Sequence, residues 1–123
     1  MSCFESVVRD HLKAISDRDL QGFAKFLHTE HSSIIILPNG SIVEGYEDII
    51  SFHEDWFADT DWHMETKVMD IFANDNMGYA LLDVIYHDLD ECSKPYEMKY
   101  LLSLLFIKVD DNWILIRDQN TMK

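Results

Sequence analysis

The chain is short of several things, and each shortage removes a class of function. Only four of its 123 residues are glycine and two are proline, scattered singly. There is accordingly no glycine-rich phosphate loop, no low-complexity tract and no linker, and ATP and NAD sites are not expected. The two cysteines, Cys3 and Cys92, lie far apart with no CxxC spacing. They read as free thiols, not as a disulfide framework or a zinc knuckle. No run approaches the roughly 18 to 20 apolar residues of a membrane span. The opening Met1-Ser2-Cys3-Phe4-Glu5 lacks a basic stretch followed by an apolar one, so a cytoplasmic location is the expectation. Basic side chains number 10 against 23 acidic ones, a net charge of −13, and they never cluster. A phosphate backbone would meet a repulsive field, so neither nucleic acid nor a membrane is an expected partner.

What is present is apolar and aromatic material, 47% and 12% of the chain, enough for one ordinary core within a single domain spanning 1–123. From Phe4 onward, Phe4, Val8, His11, Leu12 and Ile15 recur at helical spacing, opposite Glu5, Arg9, Asp10 and Lys13. Asp19 follows as a cap for a second short helix carrying Leu20, Phe23, Ala24 and Leu27. Ser33 to Leu37 and Ser41 to Glu44 flank Pro38-Asn39-Gly40 as a small hairpin. Gly45 ends it, and Tyr46, Ile49, Ile50, His53, Trp56 and Phe57 give a third helix to about Ala58.

After Asp61 the pattern alternates. Four long strands are predicted, Trp62 to Phe72, Met77 to Asp88, Tyr96 to Val109 and Trp113 to Thr121, joined by turns rich in Asn and Asp. Helices followed by a meander predict an α+β fold, with three N-terminal helices packed on a curved, mostly antiparallel sheet. The third long strand is apolar on both faces: Met98, Leu102, Leu104 and Phe106 at even positions, Leu101, Leu105, Ile107 and Val109 at odd ones. A sheet apolar on both sides needs a second cover, which predicts a homodimer through the outer sheet face.

Several short motifs carry a family likeness. Leu37-Pro38-Asn39-Gly40, Gly45-Tyr46-Glu47-Asp48-Ile49, Phe52-His53-Glu54-Asp55-Trp56-Phe57 and the Asp118-Gln119-Asn120-Thr121 ending resemble the nuclear transport factor 2-like superfamily. The chain looks most like its SnoaL-like and ketosteroid-isomerase-like branch of small bacterial proteins, over nearly its whole length. The resemblance implies a cone-shaped, cystatin-like α+β roll and a semi-apolar pocket for a small, largely apolar molecule. The chemistry it implies is of lyase, isomerase or cyclase type. The alternative is a non-catalytic homodimeric ligand-binding or interaction domain. Steroid isomerisation itself is not expected. The family's base falls at Leu37, its acidic oxyanion donor near Leu102 and its phenol at His11, so two of three roles lack a suitable side chain.

Candidate site residues follow. His11, His53 and Arg117 are the candidate catalytic groups. His11 reads either as an inward-pointing acid–base group or as a buried neutral histidine, and His53 with Trp56 either as a ligand wall or as core packing. Leu37, Trp56, Leu82, Val84, Tyr86, Tyr100, Leu102, Gln119 and Thr121 are the candidate ligand contacts, with Asp83 and His87 facing outward. On the last strand Arg117, Gln119 and Thr121 share one side, and Asp118 and Asn120 the other. Arg117 or Gln119 would meet a ligand oxygen. Asp118 would orient a helix-borne histidine or close a polar network at the sheet end. His28 with His31, His63 with Glu65, and Asp88 to Glu91 lack the spacing of known zinc or calcium sites, so neither a metal nor a cofactor is expected.

Overall fold

The computed structural model describes residues 3–123; Met1 and Ser2, where the leader reading begins, lie outside the described residues. Helix α1 (Phe4–Ser16) buries Phe4, Val7, Val8, His11, Ala14 and Ile15, the stripe its spacing predicts. It ends in a sharp corner. Arg18 takes φ 55°, in the left-handed region, and its guanidinium lies 4.2 Å above the Trp62 ring while donating to the Asp59 and Trp62 carbonyls. That corner is thereby tied to the segment leading into the sheet. Helix α2 (Leu20–Ala24) starts at Asp19, whose carboxylate accepts the Gly22 N–H at 3.0 Å.

Strands β1 (Ile34–Ile36) and β2 (Ile42–Glu44) form the hairpin around Pro38. Gly45, at φ 91°, then lets the chain turn directly into helix α3 (Tyr46–Ala58). The four long strands follow as β3 (His63–Ala73), β4 (Met77–Leu89), β5 (Pro95–Val109) and β6 (Asn112–Met122). All six strands belong to one sheet, ordered β2-β1-β6-β5-β4-β3. The hairpin joins it by parallel pairing of β1 with β6, the one parallel ladder in an otherwise antiparallel sheet. The α+β architecture of three helices on a curved, mostly antiparallel sheet is therefore the fold.

Even-numbered residues of β4 and β5 face the helices. Leu82, Val84, Leu102, Leu104 and Phe106 are buried there, each stabilising the fold by about 1.5 to 3 kcal/mol through burial. Their odd-numbered neighbours form the outer face. Cross-strand pairing aligns Phe72, Tyr79, Leu105 and Arg117 there in one row, and Lys67, Asp83, Leu101 and Thr121 in another. Among the described residues nothing covers Phe72, Met77 and Tyr79, which are exposed.

Strand β6 changes phase midway. Leu115 pairs with Phe106 and Arg117 with Leu105, leaving Ile116 as the extra residue of a β-bulge. Trp113 and Leu115 face inward before the bulge, and Asp118 and Asn120 after it. No helix among the described residues is long and apolar enough to cross a membrane.

Candidate functional site

Between the helical layer and the inner sheet face lies a hollow of about 560 Å³. That lies within the roughly 300 to 1,000 Å³ of small-molecule sites. Its walls come from seven elements, α1 with Ile15 and β3 with Met64 among them. Helix α3 supplies Phe52, His53 and Trp56; β1 and the turn after it supply Ile35, Leu37 and Pro38; β4 and β5 supply Tyr86, Met98, Tyr100 and Leu102. Strand β6 supplies Asp118 and Asn120, while Asn39, Tyr96 and Met122 are exposed at the rim.

The aromatic wall is tightly organised. Trp56 stacks on Trp62 with ring centres 4.3 Å apart, and Trp62 stacks in turn on Tyr86 at 6.0 Å. The Trp62 indole N–H donates to the Trp56 carbonyl at 3.0 Å. The Trp56 N–H donates to the Tyr86 hydroxyl at 3.3 Å, and that hydroxyl donates to Asp88 at 2.9 Å. The indole nitrogens and the phenol of the stack are thus all engaged.

Three titratable groups, Asp118, His53 and Tyr100, stand against these apolar walls. Asp118, 7% exposed, has its carboxyl pushed up to about 7 by burial, an effect only partly opposed by the Asn120 amide donating to it at 2.9 Å. The same amide donates to the Ile36 carbonyl at 2.8 Å, which fixes its orientation. His53, 3% exposed, is drawn down to about 4 by burial despite the hydrogen bond between Nδ1 and the Ile49 carbonyl at 2.8 Å. Near pH 7 its ring is neutral, with Nδ1 holding the hydrogen and Nε2 left as an acceptor. The ring itself is stacked 3.9 Å above Phe23. The Tyr100 phenol is held well above its ordinary value, by burial first and by the Asp118 charge second, so it remains a donor.

The structure places His53, Leu37, Trp56, Tyr86, Tyr100 and Leu102 on the hollow, and the other candidates elsewhere. Leu82 and Val84 lie on the inner face but are fully covered by core, so they touch no open space. His11 is also fully buried, within a box of Phe23, Phe26 and Phe106 at ring separations of 5.6, 5.0 and 5.5 Å. Neither of its ring nitrogens has a hydrogen-bond partner, and burial, then the neighbouring His53, draws it down to about 3. It is a core histidine behind the hollow.

Arg117, Gln119 and Thr121 are exposed on the outer face. Strict alternation from Trp113 and Leu115 would have turned them inward; the bulge at Ile116 turns Asp118 and Asn120 in instead. Asp118 contacts no histidine, its hydrogen-bond partner being Asn120. Strand β6 brings the Asp118 carboxyl to the hollow beside β1, since Ile35 pairs with Asp118. Among the described residues no group of three or more His, Cys, Asp and Glu side chains is disposed to hold a metal ion.

Comparison with known proteins agrees with this architecture. The ketosteroid isomerase-like protein of Erwinia carotovora atroseptica superposes with TM-score 0.78 at 10% identity, over 96% of this chain and 92% of that one. An NTF2-like protein of unknown function from Shewanella oneidensis MR-1 gives TM-score 0.75 at 14% identity, over 96% and 95%. The association domain of CaMKII from C. elegans gives TM-score 0.68 at 18% identity, over 95% and 91%. At such identities the likeness speaks for the fold alone. No curated protein matches the chain. The model of the SnoaL-like domain matches residues 5–120, and the chain therefore belongs to the SnoaL-like domain family.

Proposed function

We propose that the chain binds a small, largely apolar molecule in this hollow and moves a proton on it, with Asp118 as the acid–base group. The observation that carries this reading is a single carboxyl, poised near neutrality by burial, set against aromatic and aliphatic walls. A protonated Asp118 donates to an oxygen that is leaving or rearranging. The neutral His53 Nε2 accepts a hydrogen from the same molecule, and Tyr100 donates to a second oxygen. Such a set suits elimination, isomerisation or cyclisation of lyase or isomerase type. It does not suit dienol steroid isomerisation, because Leu37 and Leu102 occupy the positions of that reaction's base and acid.

Dehydration of 1-tetralol, followed by the ultraviolet band of the alkene, is a direct test. Turnover is expected to fall as pH rises through about 7, as a general acid requires. Asp118→Asn should lower it by about 10² or more, whereas Arg117→Gln should leave it unchanged. An Asp118→Asn variant that eliminates water at the original rate would remove Asp118 from the chemistry.

The chain also self-associates in this reading, two copies meeting through the outer sheet face. Exposed Phe72, Met77 and Tyr79 and half-buried Leu81, Leu101, Leu105 and Ile107 supply the apolar area, as an isologous contact needs. The fold is one that the CaMKII association domain also uses.

A further inference from the structure

The hydrogen-bonding inventory of the hollow is one-sided. Both protons of the Asn120 amide are committed, to Ile36 and to Asp118, so this side chain offers the interior only its oxygen. His53, with Nδ1 bonded to the Ile49 carbonyl, offers only the Nε2 lone pair. The Tyr86 hydroxyl is used as both acceptor and donor. Asp118 offers carboxyl oxygen, and the Tyr100 hydroxyl donates only to the Met64 sulfur at 3.7 Å, a weak acceptor. No lysine or arginine lines the space. The chain's −13 charge adds a field of the same sign.

Ring faces complete the pattern. Trp56, Tyr86 and Phe52 line a volume in which Asp118 is the one acidic or basic side chain carrying a full charge near neutral pH. Such faces attract cations, most strongly where water is excluded. A carboxylate-bearing ligand would find no positive partner there and would leave Asp118 opposing it.

We propose that the cavity takes an apolar organic cation, of the class of protonated secondary or tertiary amines, with the Asp118 carboxylate as counter-ion and the aromatic walls against its apolar body. The inference rests on the reading above that the hollow is a ligand site, and adds the charge of the ligand. The two roles use the same carboxyl in different proton states: it is an acid toward a neutral ligand and a counter-ion toward a cationic one. An ammonium beside Asp118 stabilises its ionised form, while a positive charge developing during elimination is stabilised by the same surfaces.

Calorimetric titration of the purified protein at pH 7 with three naphthyl probes of matched size separates the possibilities. They are N,N-dimethyl-2-naphthylmethylamine, which is cationic, 2-(methoxymethyl)naphthalene, which is neutral, and 2-naphthylacetate, which is anionic. The amine should bind about tenfold or more tightly than the ether, and the acetate more weakly than either. Asp118→Asn should abolish the preference for the amine while the ether still binds, which also shows that the variant is folded. Equal affinity for amine and ether in the unaltered protein, or tighter binding of the acetate, would overturn the cation proposal and leave the ligand site standing. Failure of all three probes to bind would overturn both.

Discussion

His11 and His53 bear on stability through the proton, and the sign can be worked out for each. Their folded values, about 3 and about 4, lie below the ordinary histidine value of 6.5. They contribute stability above pH 6.5, and it is lost as pH falls toward 4 because the unfolded chain takes up the protons first. Asp118 acts in the opposite sense. Its folded value of about 7 lies above 3.8, so its contribution is complete below pH 4 and is lost as pH rises through 7. His11→Met removes one of the two histidines and replaces unpartnered nitrogens by an apolar chain. Urea unfolding should show this variant about 1 kcal/mol more stable at pH 7, and further ahead of the original protein at pH 5. A loss of stability at pH 7 would mean that the imidazole is bonded in a way this packing does not reveal. The sequence marks His11 as inward-facing, and it is; what periodicity does not convey is depth. A stripe residue at the centre of α1 meets Phe23, Phe26 and Phe106, whereas Ile15, one turn later, reaches the hollow.

At the scale of elements, periodicity was informative wherever one rule governs a whole segment. Helices α1 and α3 and strands β4 and β5 keep one face inward throughout, so apolar spacing locates them and tells inside from outside. Strand β6 does not. An extra residue between two well-behaved halves leaves composition and length almost unchanged, and its five polar residues have no apolar partner to signal which side they take. The parallel pairing of β1 with β6 is equally silent in the sequence, because it joins segments about eighty residues apart. Close approach between elements is similarly hidden. A methyl group at Gly78 on β4 would lie 2.7 Å from the Phe4 ring at the start of α1 and 2.9 Å from Ala73 on β3. Gly78→Ala must therefore push α1 away from the sheet, and a loss of about 1 to 3 kcal/mol in thermal unfolding is expected. An unchanged melting temperature would show that the Phe4 end of the helix yields without cost.

For the whole molecule, the unsettled surface is the outer one. The row Phe72, Tyr79, Leu105 and Arg117 crosses that face near the β3–β4 turn. A pair of copies meeting there would remove from water the large side chains a single chain leaves exposed, and stable pairs of this kind bury about 1,200 to 2,000 Å² in total. Sedimentation at micromolar concentration should show a dimer. Leu105→Glu, whose new carboxylate has Arg117 beside it within its own chain, should give a folded monomer. A monomer for the unaltered chain would end the pairing scheme. Both faces of β5 are legible in the sequence as apolar; what covers the second face is not, because a partner's surface leaves no pattern in the chain that meets it.

The stacked indoles of Trp56 and Trp62 give the molecule an optical signature of its own. Two such chromophores 4.3 Å apart and 19° from coplanar couple their excited states. They should split into a pair of circular-dichroism bands of opposite sign, one that Trp56→Phe erases and that the distant Trp113 cannot mimic. One member of the pair borders the hollow and the other is sealed beneath it. An occupant pressing on Trp56 changes the coupling without displacing Trp62, so the amplitude of the couplet reports occupancy with no label attached.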